Sequence, residues 1–544
     1  MMKNQVVQTS VTQRWMPAIA IAALVIAVFG QTVSFGWLNL DDDVNVTHNP
    51  YLNPVTYSGL RQLWTAAYED LYVPVAYTLF AAETVASRLF LGDKPGEPPD
   101  PRLFHTVSVG LHVASVCIVW SLLTRLTDGR KWAAAIGAAL FAVHPLQVES
   151  VAWISEQRGL ISALFSLAAV RLHVAHGDMT PRSTAARLTA AAAVTCYAVA
   201  LLAKPQVVVL PAMAFLLDVW RLGRSPREAI VGLAPWLALA VGAALLVQRL
   251  QADARVAFVS PWLRPVVAAD ALVWYASKLV WPVNLCIDYG RTPAAILADR
   301  MSCVLAVTGV IALSILAIAP QRRAWRLPLV ISLAVLCPVL GIVPFLFQGY
   351  STVADRYAYI AMFGPALALA DAARAWWAGG RRWLVAACCG VILLLAALSG
   401  LQTRHWRSAI AINEHTLQVN PDSFLGACNL GAAFIDAGRL PEAGKWLARS
   451  VLARPGHVNA NLSLGIVLDK LGRSEEAASC YEVVLTLRPS HAEAHNYLGV
   501  ICARRGHIAE AADHFREALA AKPDYADAKI NLERAERLLN AAPR

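Results

Sequence analysis

The sequence predicts an all-α protein in two parts, a polytopic transmembrane helical domain over residues 1–403 and an α-solenoid of short helical repeats over 404–544. Three observations carry that reading. Of 544 residues, 57% are hydrophobic and 15% charged, with a mean hydropathy of +0.49, whereas soluble domains carry about 25% charged residues. Apolar runs long enough to cross a bilayer recur from residue 17 to residue 401, and a period of 34 residues takes over after residue 421.

The first run, about 17 to 36, follows Lys3 and Arg14. A cleaved signal peptide is the alternative, but the run is long and no small-x-small site follows it, so it reads as a retained span. Further segments lie at about 104–124, 132–149, 159–175, 188–203, 205–220, 229–248, 301–319, 327–347, 357–376 and 383–401, which makes about eleven crossings. The formal charge of +10 does not form a nucleic-acid patch, because the basic residues sit in the short connections 125–131, 176–187, 221–227, 321–326 and 379–382. Those five belong on the cytoplasmic side. The opposite face then receives the loops 37–103, 146–158, 203–205, 248–300 and 348–356, and with an odd number of spans the repeats as well. Stretches 73–91 and 266–283 would break this parity and are expected to lie at the interface. Ten cysteines stand singly apart from Cys388–Cys389, with no CxxC spacing, and read as small core residues.

In the second part, Pro421, Pro455, Pro489 and Pro523 are 34 residues apart, and so are Gly431, Gly465 and Gly499, and Gly438, Gly472 and Gly506. Small residues where two helices touch, a Gly turn between them and Pro at the boundary are the tetratricopeptide signature. Units fall at about 421–454, 455–488 and 489–522, with a capping helix within 523–541. Such a solenoid binds a peptide or protein, or packs only on itself.

Chemistry-bearing residues gather in the loops of the opposite face. Asp41, Asp42 and Asp43 follow the first span; a desolvated carboxylate there can act as a base, and the alternatives are a solvated turn or a Mg2+ or Mn2+ site. His144, Glu149 and Arg158 lie in the loop between two spans, where Trp153 and Arg158 could instead only anchor the interface. His105 and His112 share a face of the second span, and such a pair reads as packed or hydrogen-bonded rather than metal-bound. Lys204 stands in a tight turn where snorkelling would explain it, and Asp355-Arg356-Tyr357 precedes a span, with Arg356 able to clamp a phosphate or to neutralise Asp355. One carboxylate base beside several cations on one membrane face suits transfer from a phosphate-linked donor.

The same positions carry a resemblance. Asn39-Leu40-Asp41-Asp42 with Asn49-Pro50, Phe104-His105 with Leu111-His112, Phe141 to Ser155, Ala203-Lys204, Pro211, and Asp355-Arg356-Tyr357 with Tyr359 occur in an order and spacing that resemble the membrane glycosyltransferases of the C class (GT-C fold). The likeness is greatest to those with a C-terminal repeat array, the transmembrane and tetratricopeptide-repeat O-mannosyltransferase family and its bacterial relatives. The resemblance implies a polyprenyl-phosphate sugar donor, inverting transfer to a protein or glycan hydroxyl, Asp41 as base and Asp42 as its support. His105, His144, Glu149, Arg158, Lys204, Asp355, Arg356 and Tyr357 would shape the substrate site. It also implies a bacterial inner membrane with site and repeats on the periplasmic side. Three departures stand out: Val73 where such sequences tend to have Arg, Pro205 where Glu often follows the lysine, and Gln157 where a basic residue is common. The rival expectation is a non-enzymatic membrane scaffold whose repeats bind a partner. A transporter would place charges in mid-span, whereas here they cluster at the ends of the spans.

Overall fold

The structure, a computed structural model, describes residues 11–38, 40–69, 71–94, 97–177, 179–180, 183–250, 259–318 and 323–541. Lys3 and Asn39 lie outside the described residues, as do parts of the connections 176–187, 248–300 and 321–326. Among the described residues the regular structure is helical, with no β-strand. The chain divides into two compact units, Met1–Ser408 and Ala409–Arg544.

In the first unit α1 (Val11–Phe29) leads through a 3-10 turn to the segment that holds Asp41. The 37–103 region folds around its own apolar cluster of Val46, Leu52, Leu63, Tyr77, Phe80 and Phe104. It contains α2 (Tyr57–Thr65) and α3 (Pro74–Leu91); Thr56 starts α2 by accepting the Gly59 N–H at 3.0 Å. Next come α4 (Pro101–Leu126), α5 (Lys131–Val143), the short α6 (Val148–Ala152), α7 (Gln157–His176) and α8 (Thr184–Ala203). Then follow α9 (Leu210–Trp220), α10 (Pro226–Gly232), α11 (Ala234–Leu250), α12 (Arg264–Val280) and α13 (Pro293–Ala298). The unit ends with α14 (Arg300–Ile318), α15 (Arg323–Leu336), α16 (Phe363–Ala378) and α17 (Arg382–Thr403).

Among the described residues five helices are long and apolar enough to cross a membrane, or up to seven if two helix pairs bent by 55° and 60° each count as one span. The expected run 132–149 is the first of these pairs, broken at His144-Pro145, and 229–248 is the second. The runs at 205–220 and 327–347 form shorter apolar helices, 301–319 falls on α14, and 357–376 falls on α16. At Pro145–Gln147 and Pro205–Val209, a Pro and a 3-10 turn divide apolar sequence that a hydropathy window reads as continuous. Arg221 Nε donates to Leu126 O at 2.9 Å, which brings two of the basic connections to one end of the bundle. At Gly137, α5 touches α16 so closely that a Cβ would stand 2.3 Å from the Ala366 carbonyl oxygen.

The second unit begins with α18 (Ala409–Val419) and continues as α19 (Phe424–Asp436), α20 (Leu440–Ala453), α21 (Val458–Lys470) and α22 (Ser474–Leu487). It closes with α23 (Ala492–Arg504), α24 (Ile508–Ala521) and α25 (Ala526–Ala541). Its core runs unbroken from Leu417 through Leu447, Val467 and Phe515 to Ala535. The 34-residue period has a packing cause. Gly431, Gly465 and Gly499 on the first helix of each pair lie under Leu447, Tyr481 and Phe515 of the second, too close for a methyl group.

Candidate functional site

Asp41 and Asp42 are adjacent and face opposite ways. Asp41 adopts φ 67°, a left-handed conformation that short polar side chains tolerate, just before a single π-helical turn over Asp43–Thr47. That twist leaves the Asp41 carboxylate 60% exposed and turns Asp42 inward, where it is fully buried. Asp42 Oδ1 accepts from the Ser155 amide at 2.9 Å and from the Ser155 hydroxyl at 2.6 Å, and Oδ2 accepts from the Leu38 amide at 3.1 Å. Burial pushes the Asp42 carboxyl up to about 7, against the lowering effect of those hydrogen bonds. Asn45 donates to Ser155 Oγ and accepts from the Tyr77 hydroxyl, and Trp153 Nε1 donates to Leu40 O at 2.7 Å. The acidic segment is therefore bolted to residues 153–155.

A line of alternating charges runs from Asp41 into the unit. Arg158 Nη2 lies 4.0 Å from Asp41 Oδ2, and its Nε is 3.4 Å from Glu156 Oε1. Glu156 Oε2 accepts from Lys204 Nζ at 2.7 Å, and Arg356 Nε lies 3.9 Å from Glu156 Oε1. Arg356 also pairs through Nη1 with Glu149, whose other oxygen accepts the Arg356 amide at 3.0 Å. The guanidinium is flanked by the rings of Phe347, Tyr357 and Trp153 at 4.3, 5.0 and 5.5 Å. Three cations thus surround two buried acids. Lys204, Arg356, Tyr357 and Tyr359 line a narrow cleft whose walls include Leu210 and Val335. Its lining combines two cationic side chains with aliphatic ones.

Arg158, Lys204, Arg356 and Glu149 are brought together, and Tyr357 joins them in the cleft wall. Asp355 turns away: its Oδ1 accepts from the Tyr289 hydroxyl at 2.8 Å, and burial, then the nearby Glu149, push its carboxyl well above the usual range. Asp355 and Arg356, for which mutual neutralisation was one of two alternatives, instead have other partners. His144 is engaged on both nitrogens, with Nε2 3.1 Å from Leu279 O and Nδ1 accepting from the Leu146 amide. His105 packs edge-on against Phe35, outside this line of charges. His112 joins Tyr359 to the Ala142 carbonyl. Gln157 faces α3 and α4, donating to Glu83 at 3.0 Å and to Phe104 O at 2.7 Å, and burial pushes Glu83 well above its usual range.

Glu156, which joins all three cations, was not among the expected site residues, because an acid just before a helix reads as favourable to the helix dipole. Both oxygens of Asp42 accept from protein donors. Among the described residues the group whose ligand atoms converge is Cys502, Glu510 and His514, in the second unit.

One comparison matches part of the repeats and another matches most of the chain. Residues 462–526 match the family model "Tetratricopeptide repeat". A protein O-mannosyl-transferase of Caenorhabditis elegans is 26% identical over 429 residues, covering 74% of this chain and 58% of that one. The match therefore spans little more than half the length of that relative. Among solved structures, MamA protein is 20% identical with a TM-score of 0.23, covering 24% of this chain and 72% of its own. YrrB, a tetratricopeptide protein with an unusual peptide-binding site, is 20% identical with the same score, covering 30% and 88%. The chain is a tetratricopeptide-repeat protein related to one named as an O-mannosyl-transferase.

Proposed function

We propose that the chain is an inverting glycosyltransferase of the GT-C type that moves a mannose-like sugar from a polyprenyl-phosphate donor to a hydroxyl of a protein acceptor, at the periplasmic face of a bacterial inner membrane. The observation that carries this reading is the line from exposed Asp41 through Arg158 and Glu156 to Lys204 and Arg356 at the cleft. The relationship to an O-mannosyl-transferase supports it.

In this reading Asp41 accepts the proton of the acceptor hydroxyl as its oxygen bonds to the anomeric carbon. The bond from that carbon to the phosphate oxygen breaks, and the phosphate leaves as an anion that needs no proton. Arg158, Lys204 and Arg356 balance the charge that develops on it, in a site sheltered from water where such balance is strongest. Asp42, held by Ser155 and Leu38, fixes the backbone that aims Asp41. The aliphatic cleft wall receives the first isoprene units, and the repeats present the acceptor. A general base contributes about 10²- to 10⁴-fold. With purified protein and labelled polyprenyl-phosphate mannose, Asp41→Asn should lower turnover by at least the lower figure while donor binding persists. Full turnover in that variant would remove the base.

A second reading, a membrane-anchored scaffold without catalysis, is favoured by a family-model match confined to the repeats. It predicts that no polyprenyl-phosphate sugar is bound or consumed at any concentration, in wild type or variant.

A further inference from the structure

The third repeat holds a group of side chains that sugar transfer does not use. Cys502 lies on α23, and Glu510 and His514 lie on α24, four residues and hence one helical turn apart on one face. Their ligand atoms all stand within 4.8 Å of one another. Cys502 is buried, His514 half-buried and Glu510 exposed, and all three open on a cleft of about 950 Å³.

The imidazole of His514 is held by a neighbour. His495, seven residues before Cys502 on the same face of α23, has Nδ1 3.2 Å from His514 Nδ1, and its Nε2 lies 2.8 Å from the Pro489 carbonyl. A carbonyl only accepts, so His495 Nε2 carries the hydrogen and, in the neutral ring, Nδ1 is the acceptor. His514 must then donate through Nδ1, which leaves a lone pair on its Nε2. A histidine whose far nitrogen is fixed by a hydrogen bond is the arrangement metal ligands use.

We propose that Cys502, Glu510 and His514 bind a divalent transition-metal ion of the zinc type, with His495 positioning His514 and the cleft supplying water for a fourth position. Thiolate, imidazole and carboxylate together suit Zn2+ or Co2+; Mg2+ and Ca2+ prefer oxygen alone. Binding replaces the Cys502 S–H bond by an S–metal bond and releases the proton to solvent. The ion would clamp α23 to α24, joining the two helices of one repeat.

The test uses the full chain in detergent, stripped with chelator and titrated with Co2+, whose bond to thiolate gives a charge-transfer absorption. One Co2+ per chain with that band, displaced by Zn2+ and retained in Cys480→Ala, is expected. Cys502→Ser should abolish the band. His514→Ala and Glu510→Gln should each weaken binding, and His495→Phe should weaken it about 10-fold, as loss of an outer partner does. Helical circular dichroism confirms that each variant is folded. A wild type without the band, a band that survives in folded Cys502→Ser, or affinity unchanged in folded His514→Ala would overturn the site.

Discussion

Asp41 and Asp42 share a peptide bond and have opposite surroundings, so matched substitutions separate a reacting group from a supporting one. Asp41→Asn tolerates the same left-handed backbone and leaves an exposed side chain, so the thermal midpoint should stay unchanged while turnover falls. In Asp42→Asn the amide sets N–H donors against the donors of Leu38 or Ser155. An unmatched buried donor costs about 1–3 kcal/mol, which should appear as a lowered midpoint near pH 7. The pH dependence has a definite sign. Asp42 ionises near 3.8 when unfolded and at about 7 when folded. Below about pH 4 both states hold the proton; between there and about pH 7 only the folded state does, so stability from this group is lost as pH rises. Wild type should lose midpoint more steeply than Asp42→Asn across that window, and equal slopes would refute the raised value. The acids at 41 and 42 stand out in the sequence because charge beside an apolar run is costly without a purpose. Ser155 and Glu156 were not, since a hydroxyl and an acid at a helix start have ordinary local uses. Adjacency left mutual neutralisation of Asp355 and Arg356 open as one alternative, but a 3-10 turn sends them in different directions, to Tyr289 and to Glu149.

At the scale of elements, the repeats were readable because one contact recurs every 34 residues, glycine beneath a larger side chain. Replacing Gly465 by Ala gains about 1 kcal/mol of helix propensity but sets a Cβ 2.5 Å from the Tyr481 ring. Overpacking of that kind costs about 1–3 kcal/mol, so the crowding wins and the repeat unit should melt earlier. Gly444→Ala, inside α20 with Val467 no nearer than 3.4 Å, should instead leave the midpoint equal or higher. The same outcome for both variants would remove the packing explanation of the period. Bent helices were not legible: the break at His144-Pro145 lies inside one apolar run, and hydropathy does not report the direction of a chain.

For the whole molecule, two units with separate cores suggest a division of labour that can be cut apart. A chain ending at Ser408 keeps the line of charges and the cleft. It should bind polyprenyl-phosphate mannose as the full chain does and lose transfer to a protein acceptor, measured side by side. Loss of donor binding would place part of the donor site in the repeats. Convergence of segments from both ends of the first unit was expected from the loops, while the partners within it emerged only with the fold. That convergence also sets an order of assembly during synthesis. Glu149 is translated 207 residues before Arg356, so a nascent chain carries an acid bound for burial long before its counter-ion exists. A buried charge stripped of its partner costs about 3–5 kcal/mol. Closure of this region is therefore favoured once position 356 has been made, and products that stop short of it should be degraded faster than the full chain in a pulse-chase measurement.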